Sequence, residues 1–252
     1  MSESRTQESE SEPFLRTSSP SPSYQVPSDN TDDIDPSSGI GFSNLDMTPT
    51  NRDKVAMGLV LGGLGLFLPL TWYFVLSGSL SAMGWFALHP PLQSLAITAF
   101  LLVRQARFNT HQTVLLGLAL PAMALGTASM WWNKHVHGAV HFTTWHSWFG
   151  IGTVFWMVLQ ALIGGASVWF GGKAFGGASK AKKVYKYHRL SGYLLVTLSL
   201  LTAHLGGAHS SWALGRDGFT WLRVLAFWVA LPLVWIGLEL RTRTEGKCAD
   251  IT

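Results

Sequence analysis

The chain has 252 residues, 48% of them hydrophobic and only 13% charged, with 18 Lys and Arg against 14 Asp and Glu. Nine of the 14 acidic residues lie in the first fifty positions, and between Val55 and Leu240 only Asp217 and Glu239 are acidic. A soluble domain of that length needs charge over its whole surface, so the composition excludes one and makes lipid the expected solvent of this stretch. The net charge of +4 does not point to nucleic acid, because the cations gather at the ends of apolar runs, where they set orientation. Cys248 is the single cysteine, which excludes an intrachain disulfide and a Cys-ligated iron–sulfur cluster or zinc site within the apolar runs.

In chain order, residues 1–50 come first, rich in Ser, Pro, Asp and Glu. They hold too little apolar surface to offset chain entropy and are expected to form a disordered, cytoplasmic tail. No basic segment leading into an apolar core opens the chain, so the first span is expected to act as an uncleaved anchor. Six apolar runs follow at 55–77, 84–104, 110–132, 144–170, 186–207 and 221–240. Each offers about 20 residues, enough to cross the ~30 Å hydrocarbon layer, and each must be helical because an isolated strand leaves its backbone unsatisfied in lipid. The expected division is a tail over 1–50, a six-span domain over 51–243 and a short C-terminal tail over 244–252.

Thirteen Lys and Arg residues flank one side of these spans, whereas the other side has Lys134, Arg216 and Arg223. That bias predicts that both termini are cytoplasmic, and it leaves plasma membrane, vacuole and endosome equally open. Trp131, Trp132, Trp145, Trp148 and Trp212 fall at predicted outer ends, as interface anchors do. Gly62, Gly65, Gly117, Gly150, Gly152, Gly164 and Gly165 lie within spans and are expected to serve close helix packing, with the glycines of span one available for internal packing or a homodimer interface.

The nine histidines are informative by position. His89 and His146 lie near the outer ends of spans two and four, and His111 and His188 lie at the inner ends of spans three and five. Two imidazoles facing each other at one depth can take both axial positions of a haem iron, so this pattern suits two haems stacked in a four-helix bundle of spans two to five. From His89 to Arg104 the helix rises about 22 Å, which sets the two levels near opposite faces. Gly150 follows His146 by four residues and Gly192 follows His188 by four, so on each histidine's face a glycine removes the side chain that would collide with a porphyrin. Carboxylates are absent from spans two to five, against a di-iron carboxylate site or an acidic proton relay. His204 lies about 160° around the helix from His188 and belongs elsewhere; His135, His137 and His209 are expected at loops or span ends.

The segments "HPPLQSLAITAFLL", "THQTVLLGLAL", "HFTTWHSWFGIG" and "YKYHRLSGYLL" carry the four histidines in order. With that context, residues 55–240 resemble the cytochrome b561 family. The resemblance implies an all-α integral membrane protein with two haem b groups, His89 and His146 ligating the outer iron and His111 and His188 the inner. It implies electron transfer from cytoplasmic ascorbate to ferric iron or monodehydroascorbate on the far side, that is, a ferrireductase-like oxidoreductase in a lipid bilayer. His141 matches an additional histidine of some members and is a candidate for the acceptor site. Arg107, one turn before His111, is a candidate for the donor site, although the lysine-bearing pattern of the best ascorbate users is missing there. Two other functions compete: a haem-bearing anchor that relays electrons to or from a separate catalytic protein, and a histidine-lined transporter.

Overall fold

The computed structural model describes residues 50–103, 108–216 and 218–249, with side chains through residue 241. The tail expected over residues 1–50 lies outside the described residues apart from Thr50, as do Arg104, Arg107 and Asp217.

Six helices are long and apolar enough to cross a membrane: α1 (Asn51–Leu76), α2 (Leu80–Val103), α3 (Phe108–Val136), α4 (Trp145–Phe175), α5 (Ala178–His209) and α6 (Thr220–Arg241). All six spans read from hydropathy are present, and every described element is helical. The protein is therefore an all-α integral membrane protein of six spans. Beyond Arg241 the last helix runs on to Ala249, through much of the expected C-terminal tail.

Local chemistry sets the helix ends. Thr50 and Asp53 form a reciprocal capping box at the start of α1, and Thr144 and Ser147 form another at the start of α4. Each satisfies amide groups that would otherwise be orphaned at the membrane surface. α2 begins as a short helix and a 3₁₀ turn over Gly84–Leu88, and the regular helix starts at His89. Pro90 and Pro91 fit there because the first helical residues need no N–H partner.

Prolines also shape the interior. α3 has a π-helical turn at Leu115–Ala119 just before Pro121, and α6 has one at Val224–Ala230 just before Pro232. In a π turn the Phe227 carbonyl would look to residue 232, a proline without an N–H. His204 fills the vacancy: its Nδ1 lies 2.9 Å from the Phe227 oxygen. Its ring also meets Trp228 edge-on at 4.6 Å, so His204 turns toward α6, away from the other α5 histidine.

α1 packs most extensively on α6, α2 on α3, and α4 on α5. A Cβ on Gly63 would lie 2.7 Å from the Ala230 oxygen, and one on Gly237 would lie 2.7 Å from the Ala56 oxygen. These two glycines let the α1 and α6 backbones touch. Gly62, Gly65, Gly117 and Gly152, expected at packed contacts, instead have nothing within 4 Å of a built Cβ. A glycine count locates apolar helices but not the face that meets a neighbour. We expect Gly63→Leu to destabilise the protein by about 1–3 kcal/mol, as overpacking does, and Gly62→Leu to leave stability nearly unchanged; thermal unfolding in detergent, followed by tryptophan fluorescence, measures both.

Of the five tryptophans expected at outer ends, Trp212 is half-buried. Its ring packs edge-on against Phe74 at 5.1 Å and Phe86 at 4.9 Å. The other four tryptophans of that set are exposed, from 45% at Trp132 to 73% at Trp145.

Candidate functional site

The starts of α2 and α4 and the ends of α3 and α5 meet at one end of the molecule, called outer here. His89 and His146 face each other there, with ring centroids 5.9 Å apart and planes at 87°. Each ring is held from behind. His89 Nδ1 lies 2.8 Å from the Gly126 oxygen on α3, and His146 Nδ1 lies 2.9 Å from the Thr202 oxygen on α5. A carbonyl oxygen only accepts, so Nδ1 must carry the proton and donate it. The Nε2 lone pair is then left for a metal, the arrangement that ligating histidines use.

Supporting residues fix these carbonyls. Gln93 lies one turn beyond His89 and donates to the Met123 oxygen and the Thr127 hydroxyl, joining α2 to α3. A Cβ on Gly126 would come within 2.9 Å of the Gln93 amide, so the glycine allows the approach that brings its carbonyl to His89. On the opposite wall the hydroxyls of Thr153 and Thr202 lie 3.2 Å apart.

Both histidines line a predominantly apolar cavity of about 960 Å³. Its size is at the upper end of the range for cofactor pockets. Trp131, Lys134, His141 and Gly150 line it along with His89 and His146. His141 stacks on Trp131 at 5.9 Å with planes at 26°, and the Lys134 ammonium donates to the Val140 oxygen at 2.8 Å. The loop that carries His141 is thus tied down beside the cavity.

The inner end holds the other two histidines. His111 Nδ1 lies 3.0 Å from the Val103 oxygen, so the end of α2 orients it as Gly126 orients His89. His188 lies within electrostatic range of His111, and its buried Nδ1 has no hydrogen-bond partner. An unpartnered buried imidazole nitrogen is costly unless the ring is committed to some other group. Tyr185 stacks over this ring at 6.4 Å, and Gln160 donates to the His188 carbonyl.

Gly150, one of the two glycines expected to leave room for a porphyrin, lines the outer cavity, while the histidine rings themselves rest on other glycines. Gly150 makes an ordinary contact with Thr202, and a Cβ on Gly192 would lie 3.3 Å from the Gln160 amide nitrogen. The rings press on Gly206 and Gly164 instead. A Cβ on Gly206 would lie 2.6 Å from His146 Cε1, and one on Gly164 would lie 2.8 Å from His188 Cε1. The sequence holds a signal for them: His146 precedes Gly164 by 18 residues, and His188 precedes Gly206 by 18. Eighteen residues are five full turns and about 27 Å, so each antiparallel helix carries a histidine and a glycine on one face at opposite ends. Paired in space, each histidine meets its neighbour's glycine.

A six-span helical membrane protein with opposed, backbone-anchored imidazoles around an apolar cavity fits a bis-histidine haem centre. Residues 80–214, from the start of α2 to just past α5, match the family described as eukaryotic cytochrome b561. The chain belongs to that family, and membership implies b-type haem as the cofactor. Two maize (Zea mays) proteins, ascorbate-specific transmembrane electron transporters 2 and 1, are each 30% identical to it over 132 residues. That alignment covers 48% of this chain and 55% of each relative, so the chain spans about half the length of the curated relatives it matches.

Proposed function

We propose that this chain is a transmembrane electron-transfer oxidoreductase. It takes electrons from cytoplasmic ascorbate and passes them through two b-type haems to ferric iron or monodehydroascorbate on the other side. The observation that carries this reading is the facing pair His89 and His146, each donating Nδ1–H to a backbone carbonyl and each turned toward the same apolar cavity. The maize relatives' names supply ascorbate and electron transport across a membrane. The bias of Lys and Arg supplies the sidedness, with both termini cytoplasmic.

When bound, haem supplies the one-electron redox chemistry. The residues hold and shield it. His89 and His146 would hold an outer haem through Nε2, and His111 and His188 an inner one. Two imidazoles for each iron would favour electron transfer over oxygen activation. The apolar cavity wall excludes water, and the carbonyls of Gly126, Thr202 and Val103 keep three imidazoles in the ligating tautomer.

A reduced-minus-oxidised visible spectrum of the purified chain tests the reading. Bands of b-type haem are expected, and their absence after expression with adequate haem overturns it. Vesicles loaded with ascorbate then test direction and self-sufficiency. Reduction of an external ferric chelate without added protein supports the transporter and rejects an obligate catalytic subunit.

His141 and Arg107 are proposed to serve substrates, not haem retention. His141 lines the outer cavity and stacks on Trp131 at its edge, where an acceptor can meet the ring. Arg107 lies one turn before His111 in sequence, and its guanidinium suits an anionic reductant. In stopped-flow experiments we expect His141→Ala to slow reoxidation by a ferric chelate and Arg107→Ala to slow reduction by ascorbate, each by roughly tenfold, as loss of one charge-assisted contact does. Both variants should retain full haem content, and unchanged rates in both reject these two sites.

A further inference from the structure

With 32 residues, α5 is about 48 Å long, well beyond the ~30 Å hydrocarbon layer. From His188 to its end at His209 the helix already rises about 32 Å. Its first ten residues, 178–187, therefore project into the headgroup region. Lys182, Lys183 and Lys186 lie on this extension and Arg189 at its edge, all exposed.

Of the five exposed cations over residues 178–189, all but Lys180 share a face. At 100° per residue the four fall within an arc of about 120°. Ala181 and His188 centre about 150° from the middle of that arc, and both face protein. Ala181 is buried against Gly172, and the His188 ring lies against Gly164. The bundle thus grips one side of the helix and turns the cations outward, away from the inner histidines. No carboxylate lies on α5 itself, since only Asp217 and Glu239 are acidic between Val55 and Leu240.

A second observation lies in the turn just before. Phe170 is 84% exposed, the most exposed large apolar side chain among the described residues. Its φ is +55°, a left-handed conformation that a residue with a bulky side chain rarely adopts. Gly171 and Gly172 continue the left-handed turn, and Gly172 packs on Ala181, which fastens the turn to the base of α5. Trp169 beside it is also exposed, at 42%. Exposed aromatic side chains in the turn that leads into a cationic helix base are the chemistry of a lipid headgroup boundary.

We propose that the base of α5 is a binding surface for acidic phospholipids: Lys182, Lys183, Lys186 and Arg189 engage the headgroup phosphates, and Trp169 and Phe170 seat at the acyl boundary. Orientation alone requires a number of cations on one side of the membrane. It does not require them on one helix face, nor an apolar ring carried on a strained turn. The surface is independent of haem and of the substrates proposed above. By holding the end of α5 that bears His188, the lipid would steady the inner site.

The test uses the full chain in phosphatidylcholine vesicles with trace spin-labelled phosphatidylserine or spin-labelled phosphatidylcholine. Electron paramagnetic resonance reads the fraction of each probe immobilised by protein. We expect a preference of at least about fivefold for phosphatidylserine, the effect of one cation near an anionic surface. K182Q/K183Q/K186Q should abolish it, whereas R52Q/K54Q, which removes cations at the start of α1, should keep it. Equal immobilisation of the two probes by the wild type, or an undiminished preference in the triple variant, overturns the proposal. A photoactivatable phosphatidylserine mapped on the wild type makes the test independent of variant folding: labelling within residues 169–190 supports the site, and labelling elsewhere overturns it. If a soluble acidic peptide displaces the probe at concentrations where inorganic phosphate does not, the surface is a protein-docking site and the lipid assignment fails.

Discussion

His89→Ala and His146→Ala are each expected to remove the outer haem and leave the inner one in place. His111→Ala and His188→Ala should do the reverse. The structure brings His89 and His146 face to face at 5.9 Å, whereas His111 and His188 lie at the opposite ends of their helices. Removing one of two axial ligands leaves an iron held from one side in a pocket shaped for two, so each single variant should retain roughly half the haem absorbance of the wild type. Haem content by pyridine haemochrome and potentiometric titration of the visible bands measure this. Two components are expected in the wild type and one in each variant, with His89→Ala and His146→Ala sharing the same survivor. If His89→Ala and His111→Ala lose the same component, the pairing is wrong.

The second large effect is expected from the two glycines. Gly206→Ala places a methyl group where His146 Cε1 now lies, and Gly164→Ala does the same to His188. Neither methyl can retreat, because each sits on helix backbone, so the imidazole must swing away. His146 would then lose its bond to the Thr202 carbonyl and its aim across the cavity. Loss of an outer-shell partner commonly weakens metal binding by about 10–100-fold, and displacement of the ring itself should fall at or above that range. Gly206→Ala is expected to deplete the outer haem and Gly164→Ala the inner. Gly152→Ala, at a position with nothing within 4 Å, is the control and should keep both. Normal haem content in Gly206→Ala and Gly164→Ala would mean that the rings leave these glycines when the cofactor binds.

Much of the architecture was legible in the chain itself. The six spans were readable because a bilayer demands about 20 apolar residues per crossing, a constraint that needs no knowledge of neighbours. The four histidines stood out because alternating spans bring every second helix start to the same depth. Their ordinary surroundings also resembled one family, to which the chain proved to belong. The helix faces were harder to read. The i, i+4 rule within one helix points to Gly150 and Gly192 as clearance for a porphyrin, but it says nothing of Gly206 and Gly164, which meet the rings from the neighbouring helix. That contact depends on the rotation and offset of α4 against α5, and within-helix spacing carries no such information.

The class of protein, the number and placement of the spans, the order of the four histidines along them and the cationic bias are written in the chain. These follow from composition and helical rise, which are properties of single segments. Helix packing was needed to see that Gly63 and Gly237, rather than Gly62 and Gly65, join α1 to α6. Only it showed that Gly126, Thr202 and Val103 lend their carbonyls to the histidines, that His204 turns to the carbonyl opposite Pro232, and that Trp212 is packed between Phe74 and Phe86. The physical reason is common to all of them. A backbone carbonyl looks the same at every residue, and which one is within reach of a side chain is settled when helices far apart in the chain pack at a particular angle and register.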